Sequence, residues 1–362
     1  MKVAVLGCGT IGRGVVDILL NGVKGMKLAK ILDKKEKFVP ELIEYYTDNV
    51  DDIMLDESID TVVETMGGRG FSYTCVRRAL ELGKNVVTAN KELIAYHLKE
   101  LSDLADEKGV YLLYEASVGG GIPFIKTLSN LSQINRSKSI IGILNGTTNY
   151  ILTKMQKDGL SYEEALKGAQ KLGFAEANPT ADVEGHDMVR KIAIISMLAF
   201  KQEISVDDIY TFGITKVSKK FIDIVNNNGY TLKFVCFTNR TSCGIELGVE
   251  PVLFKNDAVF ANINYETNFV KFDMDPNDAL TFIGKGAGRL PTATAIVSDL
   301  TVIRDKGQKM FFNNIKKRHI GFEDKIVDAY VEKDGVVKLL QGVKSGEIRG
   351  GSYDFYAMIY KD

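Results

Sequence analysis

The chain contains few of the residues that build structural metal sites: only three histidines and four cysteines occur among its 362 residues. The cysteines form no CxxC pair, and no zinc-finger spacing is present. Reduced thiols are therefore the default. The seven-residue spacing of Cys236 and Cys243 would still permit a disulfide across a hairpin, so the sequence leaves that pairing open.

Long apolar runs and an excess of one charge are also missing. No apolar run reaches the roughly 18–20 residues that span a bilayer, and the first residues enter a strand-like run without a signal-peptide pattern. The 46 basic and 47 acidic residues are interspersed and give a formal net charge of -1. This balance argues against nucleic-acid and membrane-surface partners. We therefore expect a cytoplasmic protein that acts on a small molecule.

A glycine-rich turn lies near the N-terminus, between a short apolar strand and a helical pattern. Gly7 allows a tight turn, Gly9 leaves room for a pyrophosphate, and Gly12 lets the helix pack closely on the strand. The backbone N–H groups at the helix start, at Thr10 and Ile11, would then face the phosphates. A glycine turn can simply connect two elements, but this placement favours dinucleotide binding.

The end of the next predicted strand bears on the choice of cofactor. Asp33 lies at the right distance beyond the glycines to bind an adenosine ribose 2′-hydroxyl, which favours NAD. Lys34 and Lys35 follow directly and could neutralise the 2′-phosphate of NADP. The residues by themselves leave NAD and NADP open.

Two further strand-like runs end in loops that could face the nicotinamide. Thr65 follows one run, and Thr88 ends the other, three residues before Lys91. In open α/β sheets, ligands bind at the carboxyl ends of the strands. Lys91 is therefore a site candidate rather than one more surface lysine.

The length of the chain predicts two domains or one domain with a large insertion. Strands alternating with helices predict an α/β, Rossmann-type dinucleotide-binding domain at 1–130. Short β runs among amphipathic helices predict an α+β substrate and dimerisation domain at 131–283. A glycine loop and a proline-initiated helix at 284–310 are expected to return to the first domain. Residues 311–362 form a C-terminal tail of unknown role.

The most informative segment places four carboxylates and a lysine within sixteen residues, just before a strongly apolar run. Asp187 and Lys191 are four residues apart and share one helix face, which the apolar run predicts to be partly buried. Buried charges are costly unless they are paired or used. A structural ion pair is the plain interpretation of such a pair, but the surrounding motifs favour a catalytic one.

Together these motifs resemble the homoserine dehydrogenase family, whose members interconvert L-homoserine and L-aspartate 4-semialdehyde in threonine, methionine and isoleucine biosynthesis. The resemblance implies a Rossmann cofactor domain, NADP or NAD with a slight preference for NADP, and a homodimer formed through the sheet of the substrate domain. Many members carry a C-terminal ACT regulatory domain, and the tail of this chain lacks that pattern. The matching segments occur in the order of the family, at residues 7–14, 86–91, 114–123, 144–149, 173–191 and 286–295.

The resemblance also assigns roles to residues of the acidic segment. Lys191 matches the catalytic proton donor of the family, and Asp187 and Glu176 match its substrate-binding acids. Asp182 and Gly173 lie in the same matching segment and are expected at the substrate. This set suits the chemistry, because a substrate ammonium needs carboxylates and an oxygen that gains charge needs a proton donor.

Three further assignments follow from the same resemblance. Lys91 matches a catalytic lysine beside the nicotinamide and the substrate, and Gly288 lies in a glycine loop that contacts the cofactor. Glu115 matches the side-chain ligand of a monovalent-cation site, usually sodium. The other ligands of that site would be the backbone carbonyls of Val118, Gly120 and Ile122.

Two other functions are compatible with part of this pattern. Another Rossmann dehydrogenase of a small amino or keto acid would share most of these motifs, and a panel of substrates would distinguish it. A catalytically silent NAD(P)-binding sensor would be expected to lose Lys191 or the pair Glu176 and Asp187. All three residues are present, which disfavours the sensor.

Overall fold

The computed structural model describes residues 1–242, 244–310 and 320–361. The strands of these residues are β1 (Lys2–Leu6), β2 (Lys27–Leu32), β3 (Tyr46–Thr47), β4 (Thr61–Glu64), β5 (Asn85–Thr88), β6 (Leu112–Leu113), β7 (Arg136–Ile143), β8 (Tyr210–Thr211), β9 (Tyr230–Arg240), β10 (Ile245–Lys255), β11 (Thr267–Asp275), β12 (Asp278–Lys285), β13 (Ile326–Lys333), β14 (Val336–Lys344) and β15 (Phe355–Ile359). The α-helices are α1 (Thr10–Leu20), α2 (Asp51–Met54), α3 (Phe71–Glu81), α4 (Lys91–Glu107), α5 (Ile125–Leu131), α6 (Gly146–Asp158), α7 (Tyr162–Lys171), α8 (Thr180–Val183), α9 (His186–Phe200), α10 (Lys219–Asn227), α11 (Arg289–Arg304) and α12 (Ser345–Arg349).

The described residues form two compact units. The first unit contains residues 1–134, 197–203 and 285–310, and the second contains the remaining described residues. The predicted fold class, α/β with a dinucleotide-binding domain and a second α+β domain, is confirmed.

The first unit is built on a six-stranded parallel sheet with the order β3-β2-β1-β4-β5-β6. The core strands β1 and β4 are buried along their length, apart from the first residue of β1, with no alternation of exposed residues, as expected for strands that are covered on both faces. Helix α1 packs closely on α11, because a Cβ atom at Gly14 would lie only 2.9 Å from the Cβ of Ala293. Because β1, β4 and β5 are parallel neighbours in this sheet, their carboxyl ends lie side by side at one edge.

The second unit contains a nine-stranded mixed sheet with the order β12-β11-β7-β9-β10-β15-β13-β14, and β8 pairs with β10. Its centre is the antiparallel pair of β9 and β10, which is in register over eleven residues of each strand. The C-terminal strands β13, β14 and β15 extend this sheet, although the sequence assigned no role to their residues. The described part of the tail is thus a component of the second sheet.

Side-chain caps fix the starts of the helices that matter for the site. Asn145 caps α6 and accepts a hydrogen bond from the N–H of Thr148, while Asn90 caps α4 and accepts one from Leu93. Helix α7 begins with a reciprocal capping box between Ser161 and Glu164. These caps set the residue at which each helix starts and therefore the direction of its first side chains.

Cys8, Cys75 and Cys236 are free thiols, and the last two are buried. Cys243, the possible disulfide partner of Cys236, lies outside the described residues. Within the described chain, no helix is both long and apolar enough to cross a lipid bilayer.

Candidate active site

The glycine loop after β1 has the geometry of a phosphate-binding turn. Gly7 adopts a positive φ of 92°, and a Cβ atom at Gly12 would lie 1.9 Å from the carbonyl oxygen of Gly7. Gly9 differs, because a Cβ atom there would meet no atom within 4 Å. Helix α1 begins at Thr10 with no side-chain cap, so its first N–H groups remain available to an anion.

A cavity of about 590 Å³ opens beside this loop. Six of the residues predicted to bind the cofactor line it: Gly7, Gly9, Asp33, Lys34, Lys35 and Thr65. Lys37, Asp48, Met66 and Phe71 line it as well and were not predicted. The basic run that contains Lys34 and Lys35 was the only signal in the sequence that pointed towards Lys37.

Asp33 occupies the position expected of a ribose-binding acid, but its carboxylate already has partners. One oxygen accepts a hydrogen bond from the N–H of Cys8 and the other from the N–H of Lys34, both at 2.8 Å. The ammonium of Lys37 lies 3.7 Å from the same carboxylate, and that of Lys35 lies 3.1 Å from Asp48. The negative charge of the Asp33 carboxylate is therefore partly compensated by a nearby ammonium and by N–H donors.

The two threonines at the strand ends behave differently. Thr65 lines the cavity and donates a hydrogen bond to the carbonyl of Gly7 at 2.7 Å. Thr88 is fully buried, and its hydroxyl donates to the carboxylate of Glu64 at 2.6 Å. The side chain of Thr88 therefore does not line the cavity.

Glu64 was not recognised in the sequence, although it organises this loop. Its other oxygen accepts the N–H groups of Met66 and Gly67 at 2.8 and 3.0 Å. Burial raises the pKa of this carboxyl, and the hydrogen bonds that it accepts oppose that shift. Glu64 thus shapes the turn that carries Thr65 and Met66 to the cavity.

Lys91 and Gly288 both lie at helix starts of the first unit. Lys91 is the first residue of α4, directly after the cap Asn90, whose amide also donates to the carbonyl of Gly68 at 2.7 Å. This places Lys91 just beyond the carboxyl end of β5, as the sequence pattern predicts. Gly288 caps α11 with a φ of 121°, a conformation that favours glycine.

The predicted cation site contains a buried carboxylate. Glu115 is 4% exposed, and its two oxygens accept the N–H groups of Ile125 and Lys126 at 2.9 and 2.8 Å. The N–H of Glu115 itself donates to Asp299, which is fully enclosed and was not predicted. Burial raises the pKa of Glu115 to about 7 and raises that of Asp299 well above its usual range.

Two adjacent buried carboxylates are a site where a cation would compensate charge. Among the described residues, neither forms an ion pair, and the carbonyls of Val118 and Gly120 accept no hydrogen bond. The carbonyl of Ile122 accepts one from Phe124 at 2.9 Å. Carboxylate and carbonyl oxygens are donors that suit hard cations, so the donor set fits the predicted ion.

In the second unit, the predicted pair of charged residues forms a buried ion pair. Asp187 and Lys191 lie one turn apart on α9, with 2.7 Å between Nζ and Oδ2, and their side chains are only 7% and 10% exposed. The ammonium also donates to the carbonyl of Leu144 at 2.6 Å. The lysine is therefore held at a defined position by two acceptors.

Asn145 joins a second acid to this pair. Its side-chain amide donates to Asp182 at 2.7 Å and to Asp187 at 2.9 Å. Leu144 and Asn145 lie between β7 and α6, about forty residues before the acids. No spacing in the sequence indicates that Asn145 belongs to the cluster, and only its place in a motif shared with the family points to it.

The remaining acids of the segment are placed differently. Glu176 is exposed, and within the described chain its carboxylate makes no hydrogen bond or ion pair. It follows Gly173, which ends α7 with a φ of 76° and is exposed. Phe174, in the same turn, accepts a hydrogen bond from the hydroxyl of Thr147 at 2.6 Å, which ties the turn to the start of α6. Glu184 instead accepts a hydrogen bond from a threonine hydroxyl.

Comparisons with known proteins agree on one family. The family model for homoserine dehydrogenase matches residues 123–301, and the model for the NAD binding domain of homoserine dehydrogenase matches residues 7–115. The homoserine dehydrogenase of Bacillus subtilis (strain 168) is 38% identical over 316 residues, which cover 84% of this chain and 72% of that protein. A solved homoserine dehydrogenase from Thiobacillus denitrificans aligns with a TM-score of 0.84 at 31% identity, over 92% of this chain and 84% of that chain. The enzyme from S. aureus, solved at pH 8.5, aligns with a TM-score of 0.82 at 31% identity, over 100% and 99% of the two chains.

Proposed function

The chain belongs to the homoserine dehydrogenase family, and from that premise we propose that it interconverts L-homoserine and L-aspartate 4-semialdehyde, with Lys191 as the proton donor. It is an NAD(P)-dependent oxidoreductase. The observation that carries the proposed role is the buried pair of Lys191 and Asp187 beside Asp182. A lysine fixed between a carboxylate and a carbonyl has a defined direction for proton transfer.

The proton chemistry follows from this placement. The nicotinamide, when bound, supplies or accepts the hydride. As the aldehyde carbon is reduced, its oxygen gains negative charge, which the ammonium of Lys191 stabilises and then neutralises by donating a proton. Asp187 fixes the position of this ammonium through their contact of 2.7 Å. In the reverse direction, Lys191 accepts the proton of the homoserine hydroxyl.

The acids of the segment are proposed to bind the substrate. Its ammonium group requires carboxylates, and Glu176, Asp182 and Asp187 carry them. Glu176 is exposed, and its carboxylate has no hydrogen-bond or ion-pair partner among the described residues, so it is available to a ligand. Gly173 supplies the turn that positions Glu176. Lys91 is proposed as the second catalytic lysine, and its capped position beyond β5 supports that role.

For the cofactor, we propose binding of either NADP or NAD with a slight preference for NADP. Lys34 and Lys35 line the cavity and offer positive charge to a 2′-phosphate. The N–H donors and Lys37 around Asp33 reduce the repulsion that its carboxylate would exert on that phosphate. Gly288 and the N–H groups of Thr10 and Ile11 complete the proposed cofactor contacts.

A sodium ion is proposed near Glu115, with the carbonyls of Val118, Gly120 and Ile122 as further ligands. There the ion would offset the buried charge of Glu115 and order the turn before α5. A homodimer formed through the sheet of the second unit and a cytoplasmic location stay predictions from the sequence. Light scattering would test the first of these, with twice the chain mass as the expected result.

Initial rates with L-homoserine and with L-aspartate 4-semialdehyde, each with both cofactors, test the proposal. Turnover of both substrates is expected. Asp187→Asn and Glu176→Gln should raise the KM for homoserine and leave the KM for the cofactor unchanged. The assignment of the substrate would be refuted if the enzyme turned over a different small amino or keto acid and neither of these two substrates.

A further inference from the structure

We propose that Asn145 is a positioning residue of the reaction, because its single amide group holds the two acids Asp182 and Asp187 together and presents Asp187 to Lys191. This inference rests on the proposed function and adds a residue to it. It is carried by the hydrogen bonds around Asn145, which is 4% exposed.

The orientation of the Asn145 amide is fixed by its helix. Its Oδ1 atom accepts hydrogen bonds from the N–H of Thr148 at 2.9 Å and from the hydroxyl of Thr148 at 3.1 Å. Only an acceptor can face a backbone N–H, so the oxygen must point into α6. The NH₂ group must then point away from the helix, towards the acids.

The two hydrogens of that NH₂ group match the two acceptors that it meets. One is donated to Oδ1 of Asp182 at 2.7 Å and the other to Oδ2 of Asp187 at 2.9 Å. Oδ2 of Asp187 is also the atom that contacts the ammonium of Lys191. One neutral group thus joins two like charges that would otherwise repel each other.

The preceding residue completes the arrangement, because the carbonyl of Leu144 accepts a hydrogen bond from Lys191. Two consecutive residues, Leu144 and Asn145, therefore position the proposed proton donor and both acids. No other side chain of similar length fulfils all the requirements at position 145. Serine could cap the helix but lacks the two donors, and aspartate could cap it but would add a third carboxylate.

Asn145→Asp is the decisive variant, because it keeps the size and the cap and reverses the polarity of the group that faces the acids. We expect kcat/KM for homoserine to fall by about 100-fold, since a hydrogen bond between each acid and a neutral donor becomes a repulsion. Asn145→Ser should lose about tenfold. The Kd of the cofactor, measured by fluorescence in the absence of substrate, should stay within about twofold of the wild type.

A reciprocal change separates positioning from general damage. In the double variant Asn145→Asp with Asp182→Asn, the amide lies on the opposite partner, so a donor again faces an acceptor. Because Asp182 is itself a proposed ligand of the substrate, the KM for homoserine should stay raised in this double variant. We expect the recovery in kcat at saturating homoserine, by at least about tenfold relative to Asn145→Asp. Ser161→Ala is the matched control, because it removes a partly exposed helix cap on α7 that bonds Glu164 and contacts neither Asp182 nor Asp187. It should lower the melting temperature and leave kcat/KM unchanged.

Three results would overturn the inference. They are a kcat/KM of Asn145→Asp within about threefold of the wild type, an absence of rescue in the double variant, and an equal loss in the control Ser161→Ala. Failure of the proposed function is distinguishable from all of them, because the wild type would then show no turnover of homoserine. An active wild type with insensitive Asn145 variants refutes only the role of Asn145.

Discussion

Replacement of Lys191 by methionine tests the proposed proton donor most directly. Methionine keeps most of the buried volume and removes the ammonium, and with it the contacts of 2.7 Å to Asp187 and 2.6 Å to the carbonyl of Leu144. A positioned general acid contributes about 10²–10⁴-fold to turnover. We expect kcat to fall by that factor in both directions of the reaction.

The same change also affects stability, so the two effects must be separated. Without Lys191, the buried carboxylate of Asp187 loses the ammonium that lies 2.7 Å from it. Breaking a buried ion pair from one side costs about 3–5 kcal/mol in the free energy of unfolding. In the double variant Lys191→Met with Asp187→Asn, both charges are absent, and we expect at least about 1 kcal/mol of that loss to be recovered.

Urea unfolding and steady-state rates on the same preparations distinguish these effects. Both variants should keep the cofactor Kd of the wild type, because the phosphate loop belongs to the first unit. The double variant should be more stable than Lys191→Met and equally inactive. A kcat of Lys191→Met within tenfold of the wild type would refute the proton donor, and recovery of kcat in the double variant would show that the loss came from misfolding.

Three further predictions concern other parts of the chain. Gly12→Ala should lower the free energy of unfolding by about 1–3 kcal/mol, because its methyl group would overlap with a backbone carbonyl. Gly9→Ala should stay within about 0.5 kcal/mol of the wild type in urea unfolding and weaken cofactor binding. Equal stabilities of the two variants would contradict this prediction. Replacing Lys34 and Lys35 by alanine should raise the KM for NADP at least about tenfold and leave the KM for NAD nearly unchanged. An equal rise in both KM values would mean that the lysines bind no 2′-phosphate. Burial lowers the pKa of Lys233 from 10.5 to about 7. Between these two pH values, the unfolded chain binds one more proton than the folded chain. The free energy of unfolding should therefore rise with pH by up to about 1.4 kcal/mol per pH unit. Lys233→Met should remove this slope, and identical pH profiles of unfolding for the two proteins would exclude the shift.

The sequence by itself determined the features that depend on short spacings. The glycine positions predict the phosphate loop because a turn and a helix start are local structures, and the structure has both at Gly7 and Thr10. The four-residue spacing of Asp187 and Lys191 predicts their shared face because the helix repeat fixes it. The apolar run after them predicts that this face is buried, and both side chains are at most 10% exposed.

Only the tertiary structure decided which distant residues meet. Asn145 reaches Asp182 and Asp187 across 37 and 42 residues, Thr88 reaches Glu64 across 24, and Asp299 reaches Glu115 across 184. No periodicity encodes such contacts, because they depend on how strands and helices pack after each element has formed. The same reason explains the C-terminal strands, whose pattern is weak along the chain. Their place in the second sheet is set by hydrogen bonds to β10 and to one another, and these exist only once the sheet has assembled.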